Sequence, residues 1–113
     1  MGEDSLYVKE DKTAYIARKK AILAESKVRL NKLPAYIEKK KWFEVKNELD
    51  RYMYETRGAV KGLAKTYDQK EKATEFFKAI EKTNGSATQK KQDECMAAAL
   101  DSVAKLDSFV SSI

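Results

Sequence analysis

Apolar residues recur along this chain at intervals of three and four, and no alternating β-branched run reaches five residues. Three-four spacing gathers side chains on one face of a 3.6-residue helix, whereas a half-buried strand needs period two. Residues 1–10 are polar apart from Leu6, Tyr7 and Val8 and read as a flexible tail ahead of a domain spanning 11–113. The first predicted helix runs from about Asp11 to Lys32, with Ile16, Leu23 and Leu30 at sevens beside Tyr15 and Ile22. Its stripe is weak, because Lys19 and Ser26 take the alternate positions. Leu33-Pro34 ends it, since proline disfavours helix in the residue before it and suits the first turn of the next.

The second predicted helix spans about Ala35 to Thr66. Trp42, Val45, Leu49, Tyr52, Thr56, Ala59 and Leu63 make its apolar face, and Met53, Val60 and Tyr67 widen it. Gly58 and Gly62, one turn apart, read as close packing or a weak point rather than a dimer motif. The third helix is short, about Gln69 to Thr83, opened by an Asp68/Glu71 capping box and burying Ala73, Phe76, Phe77 and Ile80. Asn84-Gly85 supplies a left-handed stop. Ser86 with Gln89 opens the fourth helix, Ala87 to Ser112, whose face is Met96, Ala99, Val103, Leu106, Val110 and Ile113, widened by Leu100 and Phe109. Short connections make consecutive helices antiparallel neighbours. The expected fold is all-α, an antiparallel up-down-up-down four-helix bundle, with no internal repeat.

Composition narrows the chemistry. A chain of 113 residues is one domain, large enough to hold a core without disulfides or metals. It has no histidine, which removes the commonest general base and zinc ligand. Cys95, the sole cysteine, has no histidine to activate it and reads as an apolar filler. Glu71 and Glu75 have the spacing that could converge on a metal, but with no partner helix they read as surface charge. No nucleophile with its base, phosphate loop or dinucleotide loop is present. The chain reads as non-catalytic, with no cofactor or metal bound directly. No run of 18 apolar residues exists, and the polar Met1-Gly2-Glu3-Asp4 start holds no signal-peptide core.

The net charge of +5 is uneven, with 14 basic against 10 acidic residues in 1–57 and 9 against 8 in 58–113. Its focus is Lys39-Lys40-Lys41, directly before the only tryptophan, Trp42. At roughly 100° per residue three consecutive helical lysines cannot share one face. Antiparallel pairing brings Lys27, Arg29 and Lys32 to the same end, and Tyr36, Phe43 and Tyr54 fall off the apolar stripes. Lys27, Arg29, Lys32, Lys39, Lys40, Lys41, Tyr36 and Phe43 are therefore the candidate docking residues, against the plainer reading of a solvated helix face. Nucleic acid is not the expected partner. No recognition module is present, and Glu25, Glu38, Glu44 and Glu48 interrupt the basic residues.

The segment Pro34, Ile37, Lys39, Lys40, Trp42, Val45, Asn47, Glu48, Leu49, followed by Tyr52 and Tyr54, resembles the second-helix signature of the PsbQ family (oxygen-evolving enhancer protein 3). Gln92 with its following alanines and Val103-Ala104-Lys105-Leu106 is also similar to the family's last helix. The likeness spans roughly residues 12–112 and is sharp over 34–54. The chain lacks the proline-rich leader of plant members and is more similar to algal forms, either the red-lineage type or the diatom paralogue. The resemblance implies a four-helix extrinsic subunit of photosystem II in the chloroplast thylakoid lumen, peripheral to the membrane and a monomer when free. It implies docking on lumenal subunits and other extrinsic proteins, stabilisation of the water-splitting complex, and retention of calcium and chloride at the manganese cluster. The alternative is a generic basic helical interaction module unrelated to photosynthesis.

Overall fold

The computed structural model describes residues 2–113, with side chains described for 12–50 and 54–113. Residues 2–10, expected as a flexible tail, are helical; their side chains, and those of Tyr52 and Met53 expected in the core, lie outside the described set. The chain is all-helical, in five helices: α1 (Gly2–Leu30), α2 (Leu33–Glu38), α3 (Trp42–Leu63), α4 (Tyr67–Thr88) and α5 (Gln92–Ser112). No strand occurs among the described residues.

The continuous second helix expected over 35–66 is instead α2 and α3, separated by a turn at Lys39–Lys41. The burial pattern explains the break. Leu33 and Ile37 are buried on α2, and Val45, Leu49, Thr56, Val60 and Leu63 on α3. On one unbroken helix at 100° per residue, those two faces would point about 120° apart. The turn re-phases the chain so that both meet one core. α2 packs its buried pair chiefly against α5, while α3 packs between α1 and α4.

The left-handed stop is not at Asn84-Gly85, which lies inside α4. Ser86 and Ala87 are buried, so carrying the helix three residues further adds core packing. The Asn84 side chain, which would favour a turn, is occupied by accepting Lys46 Nζ at 2.9 Å. The helix breaks instead at Lys90. The capping box of α4 also falls two residues earlier than expected. Gln69 N–H donates to Thr66 Oγ1 and Thr66 N–H to Gln69 Oε1, both at 3.1 Å. Tyr67, expected in the core, opens α4 in solvent at 79% exposure, because α3 has already ended at Leu63.

The α4–α5 pair packs closely, and the buried positions on the two helices are mostly small, Ala73, Ala79, Thr83, Ser86 and Ala87 on α4 and Cys95, Ala98, Ala99 and Ser102 on α5, beside Phe76, Ile80, Leu106 and Phe109. This seam rotates α5 from the expected face. Cys95 and Ser102 turn inward, Leu100 and Val110 outward, and Met96, Val103 and Ile113 are only partly buried. The buried hydroxyls of Thr83 and Ser102 are satisfied by their own helices, Thr83 donating to Ala79 O at 2.8 Å and Ser102 to Ala99 O at 2.7 Å. α1 meets α3 through a buried Ser26–Thr56 hydroxyl pair, and Ser26 also bonds Ile22 O at 2.8 Å. Leu23 and Leu30 are buried as the pattern predicts, whereas Ile16 is exposed.

The two α3 glycines separate. A Cβ on Gly62 would overlap the Tyr15 hydroxyl, so this glycine permits close approach of α1. A Cβ on Gly58 would meet nothing within 4 Å. Gly58→Ala should therefore stabilise the protein by about 0.5–1 kcal/mol through helix propensity alone. Gly62→Ala should lose that gain, and Tyr15→Phe in the same chain should restore it, since the remaining ring carbon would sit at an ordinary 3.5 Å. Urea unfolding of the four proteins checks this; equal gains at both glycines would contradict it.

Candidate functional site

Two turns of the same construction form one end of the molecule. At the end of α2, Lys40 N–H donates to Ile37 O at 2.9 Å and Lys41 N–H to Tyr36 O at 2.8 Å. At the end of α4, Lys90 N–H donates to Ala87 O at 3.0 Å and Lys91 N–H to Ser86 O at 2.9 Å. These are paired 5→2 and 6→1 bonds, the Schellman arrangement, which needs a left-handed residue after the helix. Glycine usually fills that place. Here it is lysine in both turns, Lys40 at φ 56° and Lys90 at φ 57°. A non-glycine side chain in this region costs on the order of 1 kcal/mol.

Gln92, the first residue of α5, locks the turns side by side. Its Nε2 donates to Ile37 O at 2.9 Å, as a second donor beside Lys40 N–H, and to Glu38 O at 3.1 Å, a carbonyl at the end of α2. Gln69 makes a similar clasp at the opposite end, where its Nε2 donates to Ser112 O at 2.9 Å while its Oε1 caps α4. Lys46 Nζ joins α3 to the end of α4 through Asn84 Oδ1 and Thr88 Oγ1, the latter at 2.6 Å.

The docking candidates divide on this frame. Lys39, Lys40 and Lys41 form the exposed α2–α3 turn. Phe43, in the first turn of α3, is 76% exposed, whereas Tyr36 is partly buried against the core. Lys32 is exposed in the α1–α2 turn. Lys27 is paired with Asp107 of α5 at 3.0 Å. Arg29 reaches Glu25 at 3.3 Å and Glu48 at 3.5 Å. Glu48 lies six residues into α3, about 9 Å along its axis from Trp42. Lys27 and Arg29 are thus engaged along the shaft, because the six residues of α2 separate the end of α1 from the tip.

Lys90 and Lys91 stand at the tip instead, and the sequence reasoning did not single them out. The signal was present. Glu38-Lys39-Lys40-Lys41-Trp42-Phe43-Glu44 aligns with Thr88-Gln89-Lys90-Lys91-Gln92-Asp93-Glu94, matching Lys40 with Lys90 and the buried Val45 with Cys95. The chain therefore does contain a local structural repeat. No side-chain ion pair or hydrogen bond engages the ammonium groups of Lys39, Lys40, Lys41, Lys90 or Lys91 among the described residues.

Elsewhere the surface holds open grooves. One of about 260 Å³ between α1 and α5 is lined by Leu23, Ala24, Leu106 and Val110, with Lys20, Lys27 and Asp107 at its edge. Another, between α3 and α4, carries Tyr54, which is 86% exposed. Glu71 and Glu75 are exposed on α4 beside Lys72 and Lys78, and Lys72 pairs with Asp68 at 3.2 Å. No three His, Cys, Asp or Glu side chains converge among the described residues, and no described helix is long and apolar enough to cross a membrane. No protein-family model matches the chain, and no curated protein matches it at a significant level.

Cys95 is buried, and its Sγ donates to Thr83 O at 3.6 Å. Burial pushes the thiol pKa up, because a thiolate there would lose its water. The unfolded chain then ionises first, so stability should fall as pH rises through the ordinary thiol value towards the higher folded one. Cys95→Ala should flatten that decline in alkaline urea titrations; an unchanged slope would assign it to other groups. Gln92→Ala should cost about 1 kcal/mol by removing the partner of the Glu38 carbonyl and the second donor to the Ile37 carbonyl. In amide exchange the loss should appear at both turns; a change confined to α5 would show that the turns are not coupled through Gln92.

Proposed function

We propose that this chain is a non-catalytic extrinsic subunit of photosystem II, of the PsbQ type, in the thylakoid lumen. In this reading α1, α3, α4 and α5 are the rods of an antiparallel up-down-up-down bundle, and α2 is a short splint across its end. Three pairings support that topology: the end of α1 beside the early turns of α3 at Arg29–Glu48, the start of α3 beside the end of α4 at Lys46–Asn84, and the start of α4 beside the end of α5 at Gln69–Ser112.

The observation that carries the functional reading is the segment from Pro34 to Leu49. Its apolar members Ile37, Val45 and Leu49 are buried and Trp42 packs on the core, while Lys39, Lys40, Lys41 and Phe43 project to solvent. A rigid helical body with a lysine tip suits docking on acidic lumenal subunits. Seated there, the body would exclude bulk water and slow the loss of calcium and chloride from the manganese cluster, binding neither ion itself. The free protein is a monomer in this account.

Reconstitution onto salt-washed algal photosystem II tests it. The expected result is binding at low salt and recovery of oxygen evolution at limiting calcium and chloride. Changing Lys39, Lys40 and Lys41 together to Glu should weaken binding about tenfold with circular dichroism unchanged, since each exposed ion pair is worth about 0.5 kcal/mol. Absence of binding, with oxygen evolution unaltered, would overturn the assignment.

A further inference from the structure

We infer that the docking surface is bipartite: Lys90 and Lys91 form its second half, and the two lysine turns together receive a protein partner presenting a compact cluster of carboxylates. The inference rests on the docking reading above and names the chemistry of its partner.

Three observations carry it. The first is geometric. Gln92 is joined to Lys91 by the chain and to Ile37 and Glu38 by hydrogen bonds, so the tips of both turns are held on one end of the molecule. The second is energetic. Lys40 and Lys90 occupy left-handed conformations that glycine or asparagine would fill with less strain. Their ammonium groups have no partner within the described fold, so the fold draws nothing from lysine at either place.

The third is the layering of charge. Five lysines, 39 to 41 with 90 and 91, occupy the two turns. Flanking them are Glu38, next to Lys39, and Glu44, Asp93 and Glu94 in the helix starts that follow, all exposed. Glu44, Asp93 and Glu94 sit in the first turns of α3 and α5, where carboxylates favour the helix start. An extended polyanion, such as a lipid surface or a nucleic acid, would press on this acidic collar as well as on the lysines. A localised group of carboxylates on a protein meets the lysines alone, and reversed charges around it would complement the collar. Phe43, on the first turn of α3, supplies an apolar contact beside the charges, as protein interfaces commonly require.

Two variants test the bipartite surface. Lys90→Glu with Lys91→Glu should weaken binding to salt-washed photosystem II about as much as the triple change in the other turn. Lys40→Gly with Lys90→Gly should raise the melting temperature by relieving backbone strain and still weaken binding several-fold. Full affinity in either variant, when the wild type binds, would overturn the inference and leave the photosystem assignment standing. If the wild type does not bind, a second arm decides: amide shifts on titrating hexaglutamate. Shifts centred on Lys39–Phe43 and Gln89–Gln92 support the bipartite surface without the photosystem. Shifts spread evenly over the lysines of the shaft overturn it. So does binding to phosphatidylglycerol vesicles that the same variants abolish, which would make a membrane the occupant.

Discussion

The turn at Lys39–Lys41 is the constraint on which the rest of this fold depends. A helix carries one apolar face, and the chain has to bury two that are out of phase, Leu33 and Ile37 on one side and Val45 onward on the other. Continuing the helix would leave one of those faces in water, at roughly 1.5–3 kcal/mol for each large aliphatic side chain. A left-handed lysine costs on the order of 1 kcal/mol. The break therefore wins by a wide margin, even at a position where glycine would be easier. Once α2 is set off from α3, its Glu38 carbonyl and the second lone pair of its Ile37 carbonyl become available, and Gln92 takes them.

That linkage fixes the relation between the two halves of the chain. The α4–α5 pair is close because its seam is built from alanine, serine, threonine and cysteine, and close packing leaves little freedom for one helix to slide on the other. Gln92 fastens one end of this pair to α2, and Gln69 closes the other end across to Ser112. α1 is held by different means: a buried hydroxyl pair, the Gly62–Tyr15 approach, and the bridge of Arg29 between Glu25 and Glu48. Its side towards α5 remains a groove.

The helical class and most of the core were legible because three-four spacing is a property of sequence alone: Leu23, Leu30, Val45, Leu49, Ala59, Leu63, Phe76 and Phe109 are buried where that spacing puts them. Helix ends were less legible, because they were decided by tertiary contacts. Asn84-Gly85 has the composition of a stop, yet burial of Ser86 and Ala87 carried the helix through it. Lys40 and Lys90 have no stop composition at all, and packing imposed the stop on them. The rotation of α5 was hidden for a related reason: Cys95 and Ser102 score as indifferent in any apolar pattern, but small size decides a close seam. Half of the candidate site was visible as a lysine run. Lys90 and Lys91 were not, since only the Gln92 clasp brings that turn beside the first.

Local rules are broken at two kinds of place in this molecule, and the two differ in what repays the breach. Ser26, Thr56, Thr83 and Ser102 are polar groups in the core, yet each has its hydrogen bond, and the small seam or the α1–α3 contact gains from it. Gly62 costs helix propensity and allows Tyr15 to approach. The turns themselves are repaid by burial, but nothing within the described fold repays having lysine rather than glycine at φ 56° and 57°, since neither ammonium group has a partner there. Residues that oppose the stability of their own fold are expected where selection acts on something other than the fold. Exposed apolar side chains occur elsewhere as well as at Phe43, at Tyr54, Tyr67 and Leu100, but both left-handed lysines stand at the two adjoining turns, and that is the physical reason to place recognition there.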